Sequence, residues 1–230
     1  MSPKVADPAM RTALIERAAH LVAEEGRDAL TLRRLAAEVG ASTMVVYTHF
    51  RGMDHLRQEV RREGFARLAQ HLGDVDVTDD PVADLMVLGW AYHRNATTNR
   101  DLYRVMFMER TGDDDCAEPH LDADGAEVEH ERPAEDATFM MLVDGVARCL
   151  AAGRFRDAEA LPLATQLWAA EHGVVSLEIA GILDADEAAS NLEALRLNLL
   201  VGFGDDPTRI ALSATRAHPR MTPRPVDPAG

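Results

Sequence analysis

Apolar residues recur at helical spacing through most of the chain, and no segment alternates in the manner of a strand. Leu14, Ala18, Leu21 and Val22 fall at i, i+4, i+7 and i+8, one face of a helix that Gly26 is placed to end. Thr31 is placed to cap a short helix through Leu35 and Ala36 to Val39. Gly40 supplies a turn, and Ser42 stands ready to cap a third helix through Tyr47. Met53 to Leu72 reads as a fourth helix, with Leu56, Val60, Phe65 and Leu68 on its buried side. Residues 73–81 read as a linker. Helical patterning returns at about 82–97, 100–108, 134–152, 158–182 and 185–202, which predicts an all-α fold of about nine helices. Residues 109–132 are polar and acidic and read as a loop. Residues 205–230 hold Pro207, Pro219, Pro223, Pro225 and Pro228 without an apolar period, and read as a Pro-rich disordered tail.

The charge is unevenly spread along this helical chain. The 230 residues carry a net charge of −15, which by itself argues against DNA or an acidic membrane as a partner. Residues 1–72, however, hold 11 basic and 9 acidic side chains, a net of +2, whereas residues 73–230 hold 13 and 30, a net of −17. Such asymmetry is a reason to look for a nucleic-acid module in the first segment. The first residues lack the apolar run of a signal peptide, and no stretch reaches the ~18–20 apolar residues of a membrane span. Two cysteines, Cys116 and Cys149, are too few for a disulfide framework. The expectation is a cytoplasmic protein without a membrane partner.

Two short helices, 31–39 and 42–49, joined by a tight turn at Gly40, are the helix-turn-helix layout. The first braces the second, and the second presents its N-terminal half and outer face to the major groove. Leu35, Val39, Val46 and Phe50 read as core. The run Thr31-Leu-Arg-Arg-Leu-Ala-Ala-Glu-Val-Gly-Ala-Ser-Thr-Met-Val-Val-Tyr-Thr-His-Phe50 resembles the DNA-binding signature of TetR/AcrR-family transcriptional regulators. The match extends upstream to Arg11, Ala18, Ala19 and Gly26 and downstream to Leu56. The resemblance implies a DNA-binding domain over about residues 9–55, with helix 53–72 as connector.

It also implies roles. Thr31 and Ser42 sit at helix N-termini, where a hydroxyl and free N–H groups receive a phosphate. Tyr47 and His49 are the backbone-contacting pair, and Arg33 or Arg34 faces the DNA. Thr43, Met44, Val45 and Thr48 are the exposed reading positions, able to touch thymine methyl groups and base edges. No Arg, Asn or Gln stands among these four for a bidentate base contact, so reading leans on apolar contacts and DNA shape. One position departs from the family: Met53 stands where a phosphate-binding Lys is common, and the neighbouring Arg51 is the available substitute.

The acidic body, residues 73–204, carries Trp168-Ala-Ala-Glu-His172-Gly173, which resembles the Trp-x-x-x-His-Gly segment of a TetR subgroup with a WHG-type C-terminal domain. The lead-in Ala151-Ala-Gly-Arg-Phe155 fits the same subgroup. The resemblance implies a regulatory domain that dimerises and senses a ligand. Trp168 and His172 lie four apart on one helix face. Two readings stay open: packed core, or the lining of a ligand cavity shared with Trp90, His93, Met106, Phe107, Phe139, Met140 and Val143. Gly173 in mid-helix costs ~1 kcal/mol against Ala, and close approach of another helix would offset it; the same holds for Gly89 and Gly145. Leu161, Val175 and Ile179, with Leu192, Leu195 and Leu199, form the stripes implied to pair with a partner's copies.

Other chemistry finds little footing. Cys116, His120 and His130 lie among Asp113–Asp115 and Glu118, but Cys-x-x-x-His is no zinc signature alone. Carboxylates around Cys116 oppose a reactive thiolate. No cofactor, metal or catalytic site is expected. The resulting reading is a homodimeric, ligand-responsive regulator of transcription, bound to a near-palindromic DNA operator and released by a small molecule. The alternative is a ligand-carrying or interaction protein with a vestigial helix-turn-helix. A small enzyme built on His172 is the remaining rival.

Overall fold

The computed structural model describes residues 7–107 and 133–221, with side chains from residue 137 onward in the second stretch. Cys116, His120, His130 and the loop expected at 109–132 therefore lie outside the described residues. Among those described there are ten α-helices and no strand. None of these helices is long and apolar enough to cross a membrane. The described residues divide into two compact units, 7–67 with 99–107 and 133–135, and 68–98 with 136–221.

The first unit begins with α1 (Pro8–Glu25). Asp7 caps it by accepting from the Ala9 amide at 3.0 Å, and Pro8 occupies the first turn. Gly26, at φ +82°, ends it. Helices α2 (Leu32–Glu38) and α3 (Thr43–His49) follow, and α4 runs from Met53 to Gly73. Gly40, at φ +66°, supplies the left-handed turn between α2 and α3 that a side-chain-bearing residue would enter only with strain. Leu14, Ile15 and Ala18 of α1 meet Leu35, Val46, Phe50, Leu56 and Val60 in one core.

A further helix completes this unit. After α5 (Pro81–Thr98), helix α6 (Arg100–Phe107) places Leu102 and Val105 in the same core as α1. Within the body expected at 73–204, residues 99–107 thus pack with the helices of the first unit. Membership of a core is decided by which face is covered, and local periodicity does not report that.

The second unit contains α5, α7 (Pro133–Ala151, within this unit from Asp136), α8 (Ala160–Ile179), α9 (Ala185–Gly202) and α10 (Pro207–Ala217). Asp184 and Glu187 form a reciprocal capping box at the start of α9, each bond 2.9 Å. The expected disordered tail at 205–230 is corrected by α10. Asp206 caps it through the Thr208 and Arg209 amides, Pro207 opens it, and Ile210, Ser213 and Ala217 are buried. Asp-Pro is a helix start here, because Pro in the first turn gives up no hydrogen bond. A short 3₁₀ turn, His218–Arg220, follows, and residues 222–230 lie outside the described residues.

Buried ionic groups tie α10 to the start of α5. Arg154 grips Asp205 through Nε to Oδ1 at 2.9 Å and Nη2 to Oδ2 at 2.7 Å. Asp80 accepts from the Ser213 hydroxyl at 2.9 Å and from Arg216 at 3.0 Å. Asp84 accepts from the Thr78 amide, from Arg148 and from Arg220, each at 2.8 Å. Burial alone pushes the Asp80 and Asp84 carboxyls up, but the hydrogen bonds and guanidinium groups outweigh it and hold both below the ordinary value.

Candidate functional site

Helix α3 has only seven residues and buries one of them fully, Val46. With Leu35 and Phe50 it seats α3 on the core of the first unit, and Val39 packs against that core half-buried. The opposite face is open. Thr43, Met44, Tyr47 and Thr48 are exposed, Met44 by 70% and Tyr47 by 54%, while Val45 and His49 are half-buried. Large side chains so placed on a short helix leave apolar surface in water. The Thr48 hydroxyl donates to the Met44 carbonyl at 2.9 Å, which turns its proton inward.

The two expected caps differ. Thr31 accepts from the Arg34 amide at 3.3 Å. Ser42 stands at the cap position of α3, but its exposed hydroxyl makes no capping bond. The two arginines of α2 differ as well. Arg33 is exposed and makes no ion pair among the described residues, whereas Arg34 is held by Glu25. Met53 packs half-buried against the core, and Arg51 is exposed at the same corner without an ion pair among the described residues.

The residues expected to line a cavity are divided between the two units. Met106 and Phe107 lie in the first unit, where Phe107 meets Phe65 edge-on at 5.6 Å and Tyr103 at 5.0 Å. The second unit gathers Phe139, Trp168 and His172. Trp168 stacks on His172 at 5.0 Å and 28°, and Phe139 meets Trp168 edge-on at 6.1 Å. His172 Nδ1 lies 2.9 Å from the Tyr92 hydroxyl, and His93 Nε2 lies 2.6 Å from Glu178 Oε2. Burial pushes the His172 imidazole below its ordinary value, which favours the neutral ring. Trp90 instead lies under the Arg94 guanidinium at 5.3 Å, Met140 is 47% exposed, and Val143 is buried.

Tyr92 and Glu178 join these contacts without any signal in the local sequence. Their partners lie 80 and 85 residues away, and no local spacing marks them. Close approach holds at Gly89, where a Cβ would meet Glu171 Oε1 at 2.6 Å, and at Gly145, where it would meet Leu85 at 3.2 Å. At Gly173 no atom of another described element lies within 4 Å of such a Cβ, so close approach does not hold there among the described residues.

The stripe expected to meet a partner is corrected at three positions. Val175, Ile179 and Leu192 are 0%, 2% and 6% exposed in the single chain, Leu192 in one cluster with Val174 and Ala188. Helix α8 packs against both α5 and α9 inside the protomer, which leaves these positions covered. Leu161 and Leu195 remain exposed, with Leu199 half-buried.

A short helix seated on the core that α1, α2, α4 and α6 share, its outer face open, defines the class: a helix-turn-helix DNA-binding regulator with a second helical unit. Comparison with known proteins gives the family. Residues 14–60 match the model of bacterial regulatory proteins, tetR family, and residues 85–197 match the tetracyclin repressor-like C-terminal domain. An uncharacterized HTH-type transcriptional regulator of Mycobacterium tuberculosis is 25% identical over 204 residues, covering 86% of this chain and 84% of its own. A solved protein of unknown function from Rhodococcus sp. RHA1 is 25% identical with a TM-score of 0.67, covering 89% of this chain and 100% of its own. The TetR-family regulator PfmR from Thermus thermophilus shares the fold at 18% identity, TM-score 0.63, over 81% of this chain and 96% of its own. The chain belongs to the TetR family of transcriptional regulators, DNA-binding proteins that respond to ligands.

Proposed function

We propose that this regulator acts by binding rather than by catalysis: as a homodimer it represses transcription from a near-palindromic operator and leaves it when a small apolar or amphipathic molecule enters the second unit. The observation that carries the reading is the open face of α3, with Met44 and Tyr47 in water above a fully buried Val46. Thr31, Arg33, Ser42, Tyr47 and His49 are assigned to the phosphate backbone, with Arg51 taking the place left by Met53. Thr43, Met44, Val45 and Thr48 are assigned to base edges and thymine methyls. Arg34 is left with a bracing role, because Glu25 occupies its guanidinium.

Leu161 and Leu195 support pairing with a second copy, since they are apolar, exposed and on the two helices implied to dimerise. Two copies would set their reading helices about 34–36 Å apart, one turn of DNA. Trp168, His172, Tyr92 and Phe139 are the effector-contact candidates of the second unit. The test is a gel-shift titration against the DNA flanking the protein's own gene at moderate salt. A discrete complex resistant to competitor DNA, with two protomers bound, is expected. Absence of any specific complex at any salt would instead favour a carrier with a vestigial head.

A further inference from the structure

The second unit holds its first and last segments together with charged groups, arranged in two tiers. In the inner tier Arg154, Asp205 and Asp80 have side chains only 7%, 0% and 5% exposed. Ser213 of α10 is 1% exposed and lies between them, donating to Asp80 and accepting from Arg154 at 3.1 Å. In the outer tier the arginines are accessible: Arg220 is 23% and Arg216 64% exposed. They reach across 136 residues of sequence to Asp84 and Asp80. Arg220 also donates to the Asp76 carbonyl at 2.7 Å. Thr78 is held through its amide and hydroxyl by Asp84, and through its carbonyl by Arg148.

The segment so gripped, 74–80, is the connection that leaves α4. Helix α4 starts beside the reading helix at Met53 and ends at Gly73, with residues 68–73 in the second unit. The polar backbone of 76–80 has little regular structure of its own and takes its order from these side chains. A hydrophobic contact would hold such a segment as firmly, but hydrogen-bonded charges hold it in one register.

We propose that α10 and the turn His218–Arg220 form a latch on the α4–α5 connection, with Arg216 and Arg220 as positioning residues that set how strongly the second unit influences DNA binding. The inner tier is permanent and the outer tier is the releasable part. This coupling rests on the function proposed above.

The test compares wild type with R220A, the double variant R216A/R220A, and R209A. Arg209 is an exposed arginine of α10 outside the latch, so R209A makes the same charge change as R220A. Hydrogen exchange is read on the amides of 74–80, and operator affinity by titration at fixed salt. Both latch variants are expected to exchange at least tenfold faster at 74–80, to keep wild-type exchange in α1–α3, and to shift operator affinity fivefold or more. R209A should do none of these. R220K should restore part of the protection through its single charge. Wild-type exchange at 74–80 in R216A/R220A overturns the latch, whatever the DNA does. Faster exchange with unchanged operator affinity overturns the coupling. A wild-type protein that binds no operator overturns the function and the coupling, while the exchange result still decides whether the latch exists.

Discussion

Arg34 of α2 grips Glu25 at the end of α1 with two nitrogens, Nη1 to Oε2 at 2.8 Å and Nη2 to Oε1 at 2.5 Å. The bond holds the Glu25 carboxyl below its ordinary value. Arg17 is likewise paired with Glu38. Part of the positive charge of the first unit is thereby matched inside the unit.

The two neighbouring arginines of α2 should behave differently. Removing Arg33 is expected to weaken operator binding about equally for all sequences and to lower the salt slope by roughly one ion. R34A should leave the slope unchanged, because its charge is already answered by Glu25. Titrations at four salt concentrations separate the two, and equal slopes for both variants would contradict the assignment.

The two faces of α3 offer a second contrast. Met44 is 70% exposed, so M44A should change folding stability by no more than about 0.5 kcal/mol. It should nevertheless cost specific binding about 1–3 kcal/mol, the scale of one mismatched base pair. V46A removes two methyl groups from a fully buried site and should destabilise the first unit by about 2 kcal/mol. Thermal unfolding beside operator titration gives both numbers.

Ser213 tests whether α10 is part of the fold. It is 1% exposed and bonded to both Asp80 and Arg154. S213A leaves two buried charged groups short of a partner and should cost about 1–3 kcal/mol. A disordered tail would tolerate the change without effect in chemical denaturation.

His172 gives a pH dependence of fixed sign. Its folded value lies below the ordinary 6.5, so the folded state binds its proton more weakly than the unfolded chain. Its contribution to stability is therefore complete above 6.5 and declines as pH falls through the lowered value. H172Q should remove that part of the decline in unfolding curves taken between about pH 5 and 8. A decline of wild-type size in H172Q would show that other groups cause it.

The parts legible in the sequence are those built from neighbours along the chain. The spacing of Leu14, Ala18 and Leu21, the turn at Gly40, the Thr31 cap and the buried Val46 all follow from contacts within one or two turns. The parts that escaped are long-range. Periodicity marks Val175, Ile179 and Leu192 as apolar, but not that α5, α8 and α9 pack together within one protomer. Tyr92 and His172 meet across 80 residues, and Arg154 and Asp205 across 51. For α10 the local signal is Asp206-Pro207, a cap followed by a first-turn proline, which the proline content of 205–230 as a whole obscures.

If Met44, Val45 and the methyl groups of Thr43 and Thr48 read the bases as proposed, that face has a chemical blind spot. The methyl group that distinguishes thymine in the major groove is also carried by 5-methylcytosine, at the same ring position. Met44 and Val45 carry no donor to test the neighbouring exocyclic atom, and Thr48 turns its proton to the Met44 carbonyl, so these three positions would tell the two bases apart poorly. DNA methylation at cytosine would then create new contacts for this regulator rather than block existing ones, and sites silent in unmodified DNA would become visible to it.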